Sequence, residues 1–214
     1  MKSREPLFLL IIAVLCLGIS SIHPYDRTTW LLEIFPVLIA IALLTTTFWR
    51  FPLTPLLYRL IFLHSLILII GGYYTYARVP IGVWVQPLFD FSRNHFDRLG
   101  HFAQGFVPAV IAREILLRNT PLQRGKMLFL IVVSICLAFS AFYEFIEWWA
   151  AVIMGQAADD FLGTQGDPWD TQWDMFMAFV GAIAAQLVLS RQHDKELELY
   201  RSGTTSPEFV RMSE

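Results

Sequence analysis

Two uninterrupted apolar runs set the first limit on what this chain can become. Pro6–Ile22 and Met127–Tyr143 each run 17 residues without a charge, close to the roughly 20 needed to cross the hydrocarbon core of a bilayer. The rest of the composition agrees, with 56% of the 214 residues hydrophobic and 16% charged. Soluble domains average about 45–50% apolar and about 25% charged residues. No single soluble core hides that much apolar surface without gathering it into long buried helices. The chain reads as an integral membrane protein.

Several classes drop out. The net charge is −2 and no basic run exceeds two residues, so the electrostatic footprint of a nucleic-acid partner is missing. Cys16 and Cys136 both lie in apolar segments, where a thiol behaves as a small hydrophobe, and no Cys/His spacing suits a structural zinc site. Lys2 and Arg4 before a Leu/Ile-rich run imitate a signal peptide. However, Ser20-Ser21-Ile22-His23-Pro24 offers no small-x-small cleavage site, and Leu15 before Cys16 does not suit lipoprotein processing. The run is read as a retained first span.

Hydropathy predicts an all-α polytopic bundle of about six transmembrane helices: Pro6–Ile22, Trp30–Phe48, Pro55–Ala77, Phe96–Leu117, Met127–Met154 and Thr171–Ser190. Phe96–Leu117 is the weakest, because Asp97, Arg98, His101, Arg113 and Glu114 leave only Phe102–Ala112 uncharged. With six spans and an inner amino terminus, twelve Lys and Arg fall inside and four outside (Arg27, Arg78, Arg93 and Arg98). That bias predicts both termini in the cytoplasm. Residues 1–190 then form an integral membrane domain and 191–214 a cytoplasmic tail. Trp30, Trp84, Trp148, Trp149, Trp169 and Trp173 gather near the outer interface, where amphipathic rings bridge hydrocarbon and headgroups. The stretch Trp84–Phe91 reads as interfacial anchoring, or as a lid over a site beneath it.

Acidic residues divide unevenly in this topology. Eleven lie outward: Asp26, Glu33, Asp90, Asp97, Glu144, Glu147, Asp159, Asp160, Asp167, Asp170 and Asp174. Asp97, His101 and Gln104 share one helical stripe at i, i+4, i+7, with Gly100 and Gly105 leaving room for a close neighbour. Ser140, Glu144 and Glu147 share a face of the fifth span, and Asp170 and Asp174 open the sixth. At 1.5 Å per residue, His101, Glu144 and Asp174 lie about 5–10 Å inside the outer boundary. Three helices thus bring carboxylates and an imidazole to one depth.

Ionisable groups inside a span are costly and usually face a bundle interior or a wet cavity. Two readings follow. In one, His101, Glu144, Glu147, Asp170 and Asp174 hold a divalent metal ion (zinc, magnesium or manganese). Asp97, His101, Glu144 and Glu147 then carry catalysis, Asp97 orienting His101. In the other, coupled carboxylates pass protons or cations without chemistry. Structural alternatives stand beside each. Glu144 and Glu147 could pair with Arg98 or Arg93; Asp167 and Asp170 could cap a helix; Asp159 and Asp160 could be a solvated loop pair. His64 is expected to bond a neighbouring helix, and Glu33 to snorkel near Trp30. The loop 159–170 lacks the closing Glu and the glycine placement of an EF-hand, so that calcium site is excluded.

Three motifs carry a family likeness. They are Asp97-Arg98-Leu99-Gly100-His101-Phe102-Ala103-Gln104-Gly105, Phe142-Tyr143-Glu144-Phe145-Ile146-Glu147-Trp148 and Gln165-Gly166-Asp167-Pro168-Trp169-Asp170-Thr171-Gln172-Trp173-Asp174-Met175. With them the chain resembles the YjdF-like bacterial inner-membrane proteins over residues 5–195. The resemblance implies a multi-pass inner-membrane protein and lends no activity. A more distant likeness is to VanZ-like membrane proteins, linked to glycopeptide resistance, whose pattern is Asp-Lys-x-x-His-Phe, Glu-x-x-Gln and Asp-x-x-x-Asn. Here Arg98 replaces Lys, Glu147 replaces Gln and Asp174 replaces Asn, which makes the site more acidic and a cation more fitting. The expectation is a metal-dependent hydrolase or transferase acting on a lipid-linked or envelope substrate. A proton- or cation-coupled transporter, or a non-catalytic envelope binding or assembly protein, is the alternative. Membrane lipids are the expected partners, and nucleic acid is not.

Overall fold

A computed structural model describes residues 4–155 and 159–201. Among them there are six long helices and two short ones, with no strand. The long ones are α1 (Arg4–Ser20), α2 (Arg27–Thr47), α3 (Pro55–Tyr74), α5 (Phe96–Asn119), α6 (Lys126–Met154) and α8 (Asp170–Arg201). Helices α4 (Pro80–Val85) and α7 (Asp159–Leu162) are single turns in the connections. The protein is an all-helical membrane bundle. α2, α3, α6 and α8 are long and apolar enough to cross a bilayer. α1 has 17 residues, and α5 carries the charges that weakened it in the sequence.

Local chemistry explains most boundaries. The Asp26 carboxylate accepts the Thr29 N–H at 2.7 Å and caps α2, which therefore starts before Trp30. α3 opens on Pro55, where a missing N–H costs nothing, and stops at Tyr74 rather than Ala77 because Thr75 takes φ +56°. The Asn94 side chain accepts the Phe96 N–H at 2.9 Å and starts α5. Its amide also donates to the Ala77 and Val79 carbonyls, tying the 79–91 connection to the same point. That connection turns Trp84, Leu88 and Phe89 outward.

The helix that hydropathy ranks lowest is the central one. α5 packs on α3, α6 and α8, and its contact with α8 is the most extensive in the bundle. Its charged residues Asp97, Arg98, Arg113 and Glu114 are buried, while α6 and α8 turn Phe139 and Leu187 outward. Lipid-facing helices need apolar surfaces; a helix enclosed by its neighbours needs only matching partners. The crossing of α5 and α8 is closed by glycine. A Cβ on Gly105 would overlap the Ala178 carbonyl, and one on Gly181 would overlap the Phe102 carbonyl. Gly100 meets the Tyr76 ring instead of a helix backbone. Leu57, Ala109, Val132, Cys136 and Ala182 complete the apolar core.

α8 does not stop at Ser190. It runs on to Arg201, across the 190/191 boundary expected between membrane domain and tail, and buries His193 and Leu197. The Glu196 carboxylate accepts the Leu56 N–H at 2.8 Å, satisfying the first turn of α3 from another helix. Residues 202–214 of the expected tail lie outside the described residues.

Candidate functional site

The site forms where α5 and α8 begin, with two arginines as its outer wall. Arg93 bonds the Asp170 carboxylate, the Asp97 carboxylate at 3.3 Å and the Gly163 carbonyl at 3.1 Å. Arg98 reaches Asp174 at 2.7 Å, Asp167 at 2.9 Å and Asp170 at 3.0 Å. Gln165 closes the seam reciprocally, accepting the Asn94 N–H at 2.9 Å and donating to the Asn94 carbonyl at 3.0 Å. Gly163, at φ +62°, leaves the Asp97 carboxylate 3.9 Å from where a Cβ would stand. The guanidiniums therefore serve aspartates, not Glu144 and Glu147 as the competing structural reading required. Asp170 does not act through its side chain as a simple helix cap; Asp167 does that work, accepting the Trp169 N–H at 2.9 Å. His95, just outside α5, is held below the ordinary histidine pKa by partial burial and by Arg93 and Arg98.

Behind this wall lies a second set of groups with a different character. His101 Nε2 stands 3.5 Å from an Asp97 oxygen and 3.8 Å from an Asp174 oxygen. Its Nδ1 is buried and, among the described residues, has no partner. Glu144 is 6% exposed, and among the described residues neither of its oxygens has a partner within 3.5 Å, the Thr171 side chain being the polar group that approaches it. Asp97, His101 and Asp174 form one group, and His101, Glu144 and Glu147 another, whose ligand atoms lie within 4.8 Å of one another. Asp170, expected among the ligands, belongs to neither group; its carboxylate faces Arg93 and Arg98. Ser140 is buried with an unpartnered hydroxyl, whereas Ser65 and Ser134 bond back to the Ile61 and Leu130 carbonyls.

The sequence reading missed Glu33. Rather than snorkelling, it is buried and accepts a bond from the Tyr143 hydroxyl at 3.5 Å. The Tyr143 ring in turn packs 6.3 Å from that of His101. The available signal was the i, i+4, i+8 stripe Thr29, Glu33, Val37, all three buried. Gly72 makes the approach possible, since a Cβ there would stand 3.0 Å from that of Glu33. His64 Nε2 is buried without a partner among the described residues, so the bond to a neighbouring helix expected for it is not made through that atom. The side chains of Asp159 and Asp160 lie outside the described residues.

A control is built into the other end of the same helix pair. Glu114, fully buried, accepts from the Thr54 N–H at 3.1 Å, the Thr54 hydroxyl at 2.7 Å, Arg118 at 2.7 Å and His193 Nε2 at 2.9 Å. Arg113 donates to His193 Nδ1 at 2.8 Å and to Asp194 at 2.6 Å. Because Nδ1 accepts, His193 is the neutral tautomer that carries its proton on Nε2. This fold satisfies a buried carboxylate fully at one end and leaves another bare at the other. At the bare end, among the described residues, Glu33, Asp97, Glu144, Glu147, Asp167, Asp170 and Asp174 face two guanidiniums, Arg93 and Arg98, and the imidazole of His101. Such an excess of buried acids calls for a bound cation or for protons.

Comparison with known proteins agrees with the motifs. Residues 5–195 match the family described as "Predicted membrane protein (DUF2238)". The Inner membrane protein YjdF of Escherichia coli (strain K12) is 55% identical over 181 residues, covering 85% of this chain and 87% of that protein. No solved structure matches. The more distant VanZ-like likeness is not among these findings and stays at the level of motifs.

Proposed function

The chain belongs to the DUF2238 family of membrane proteins, and within that frame we propose that its bare acidic cluster is a divalent-cation centre. The observation that carries this reading is His101 beside Glu144. One ring nitrogen lies near Asp97 and Asp174, the other has no partner among the described residues, and His101, Glu144 and Glu147 offer ligand atoms within 4.8 Å of one another. Metal-binding histidines commonly donate their second N–H to a carboxylate, which fixes the ring and raises its basicity. Here His101, Glu144 and Glu147 are the ligands, and Asp97 and Asp174 orient the imidazole. One nitrogen with two carboxylates suits zinc or manganese, and magnesium less well.

The relative is named an inner membrane protein; in our reading this chain lies in the inner membrane too, with six spans, both termini cytoplasmic and the site beneath the periplasmic surface. A divalent cation there supplies Lewis acidity toward a phosphoryl or carbonyl oxygen. Glu33 and Tyr143 stand next to the centre to hold or move a proton. The substrate is a lipid-linked or envelope molecule, and the reaction is hydrolysis or group transfer. Helix packing favours this over ion conduction. Below the site, α5 has no charge from Phe102 to Ala112, about 16 Å of helix, and this stretch is sealed against α8 by the Gly105–Ala178 and Gly181–Phe102 approaches. A site sealed from the other end of the bundle suits catalysis or binding better than transport.

Elemental analysis of the detergent-purified protein, beside His101→Ala and Glu144→Gln, tests the proposal. About one equivalent of metal in the parent, reduced at least tenfold in both variants with helicity retained, supports it. No metal in the parent after incubation with zinc, manganese and magnesium overturns it, leaving protons to neutralise the cluster.

A further inference from the structure

At the opposite end of the bundle, α1, α2 and α3 enclose a groove with no role in the acidic site. α1 and α2 each pack on α3 far more than on each other. They are pinned together where α1 ends and α2 begins, the Trp30 indole N–H donating to the Ser20 hydroxyl at 3.0 Å. From that apex they splay, leaving a cavity of about 440 Å³ floored by Tyr58, Ile61 and Ser65. Along α1 it runs from Arg4 to Ala13, and on the other side from Trp49, just past the end of α2, back to Ala40. Each wall is therefore ten residues long, nine helical rises or about 14 Å. Half of the roughly 30 Å hydrocarbon core is about 15 Å. The groove has the depth of one leaflet.

Its chemistry is graded in the same direction. The deep lining is apolar, and its hydroxyls are satisfied internally, Ser65 bonding the Ile61 carbonyl and Thr45 the Ile41 carbonyl. At the mouth stands Arg4, exposed and, among the described residues, without an acidic partner; the neighbouring Arg59 is neutralised by Glu5 at 2.5 Å. Trp49 flanks the mouth, a residue suited to the headgroup boundary. We infer that this groove seats one acyl chain of an anionic glycerophospholipid, with Arg4 on its phosphate. The lipid fills the gap between helices that do not pack on each other and holds α1 to the bundle.

Thermal unfolding of the purified full-length protein with added lipid tests the inference. Dioleoylphosphatidylglycerol is expected to raise the midpoint at least twice as far as dioleoylphosphatidylcholine. Arg4→Gln should reduce the phosphatidylglycerol response to the phosphatidylcholine level, and Ala40→Trp, which fills the groove, should remove both. Helical content and the lipid-free midpoint establish that each variant folds. Native mass spectrometry supplies a second readout, with one retained phospholipid in the parent and none in Ala40→Trp. Equal responses to the two lipids, an unchanged response in Ala40→Trp, or a full response to the water-soluble glycerophosphoglycerol headgroup alone would each overturn the assignment.

Discussion

Replacing Glu114 and Glu144 by glutamine should shift stability in opposite directions, although both are buried glutamates in long helices. At Glu114 the amide puts a donor among donors, because Thr54, Arg118 and His193 all aim N–H or O–H groups at its carboxylate. Hydrogen bonds between membrane helices average about 0.6 kcal/mol each, so four give about 2.4 kcal/mol. Stranding the charged Arg118 raises the loss towards the 3–5 kcal/mol seen when buried ion pairs are broken. The expected cost of Glu114→Gln is about 2–5 kcal/mol. At Glu144 the amide oxygen can still accept from Thr171, and the substitution removes a charge held among Asp97, Glu147 and Asp174. In the presence of chelator, Glu144→Gln should therefore be neutral or stabilising, because like-charge repulsion is relieved. Added zinc or manganese should then stabilise the parent and leave the variant unmoved. Reversible denaturation in mixed micelles, with and without chelator, measures both. If Glu144→Gln destabilises the metal-free protein as much as Glu114→Gln does, Glu144 has structural partners and the contrast between the two ends is wrong.

Other expectations follow from single contacts. Gly105→Ala puts a methyl group onto the Ala178 carbonyl, so α5 and α8 must separate and folded yield should fall steeply; Gly100→Ala meets only the movable Tyr76 ring at 2.9 Å and should be milder. Size-exclusion profiles of the two variants make the comparison. Arg98→Gln takes one guanidinium contact from each of Asp167, Asp170 and Asp174 and leaves Asp174 with none, so the 163–169 loop should become protease-sensitive, with protection regained on adding divalent cation. Glu33→Gln should leave both helicity and metal content unchanged in a titration, because it removes no ligand and the amide oxygen still accepts from Tyr143. Alkaline phosphatase fused after the last residue should be inactive and a fluorescent protein fused there should fluoresce, as the twelve-to-four distribution of basic residues requires.

Much of this molecule is visible in one dimension. Apolar run lengths determine that the chain is a helical membrane protein, and i, i+4 spacing puts Asp97 with His101 and groups Ser140, Glu144 and Glu147, because both depend only on neighbours along the chain. The expectation that three helices share a polar depth has the same origin. Which acids stay bare does not. Asp170 and Asp174 have like spacing and like chemistry, yet Arg93 and Arg98 both bind Asp170, while Asp174 turns one oxygen toward Arg98 and the other toward His101. Glu33 joins from a helix more than sixty residues away, across a gap that Gly72 keeps open. The 1.5 Å rise of a helix determines depth from sequence, but rotation about the helix axis is decided by packing. Only the folded bundle chooses which carboxylates meet a guanidinium and which meet none.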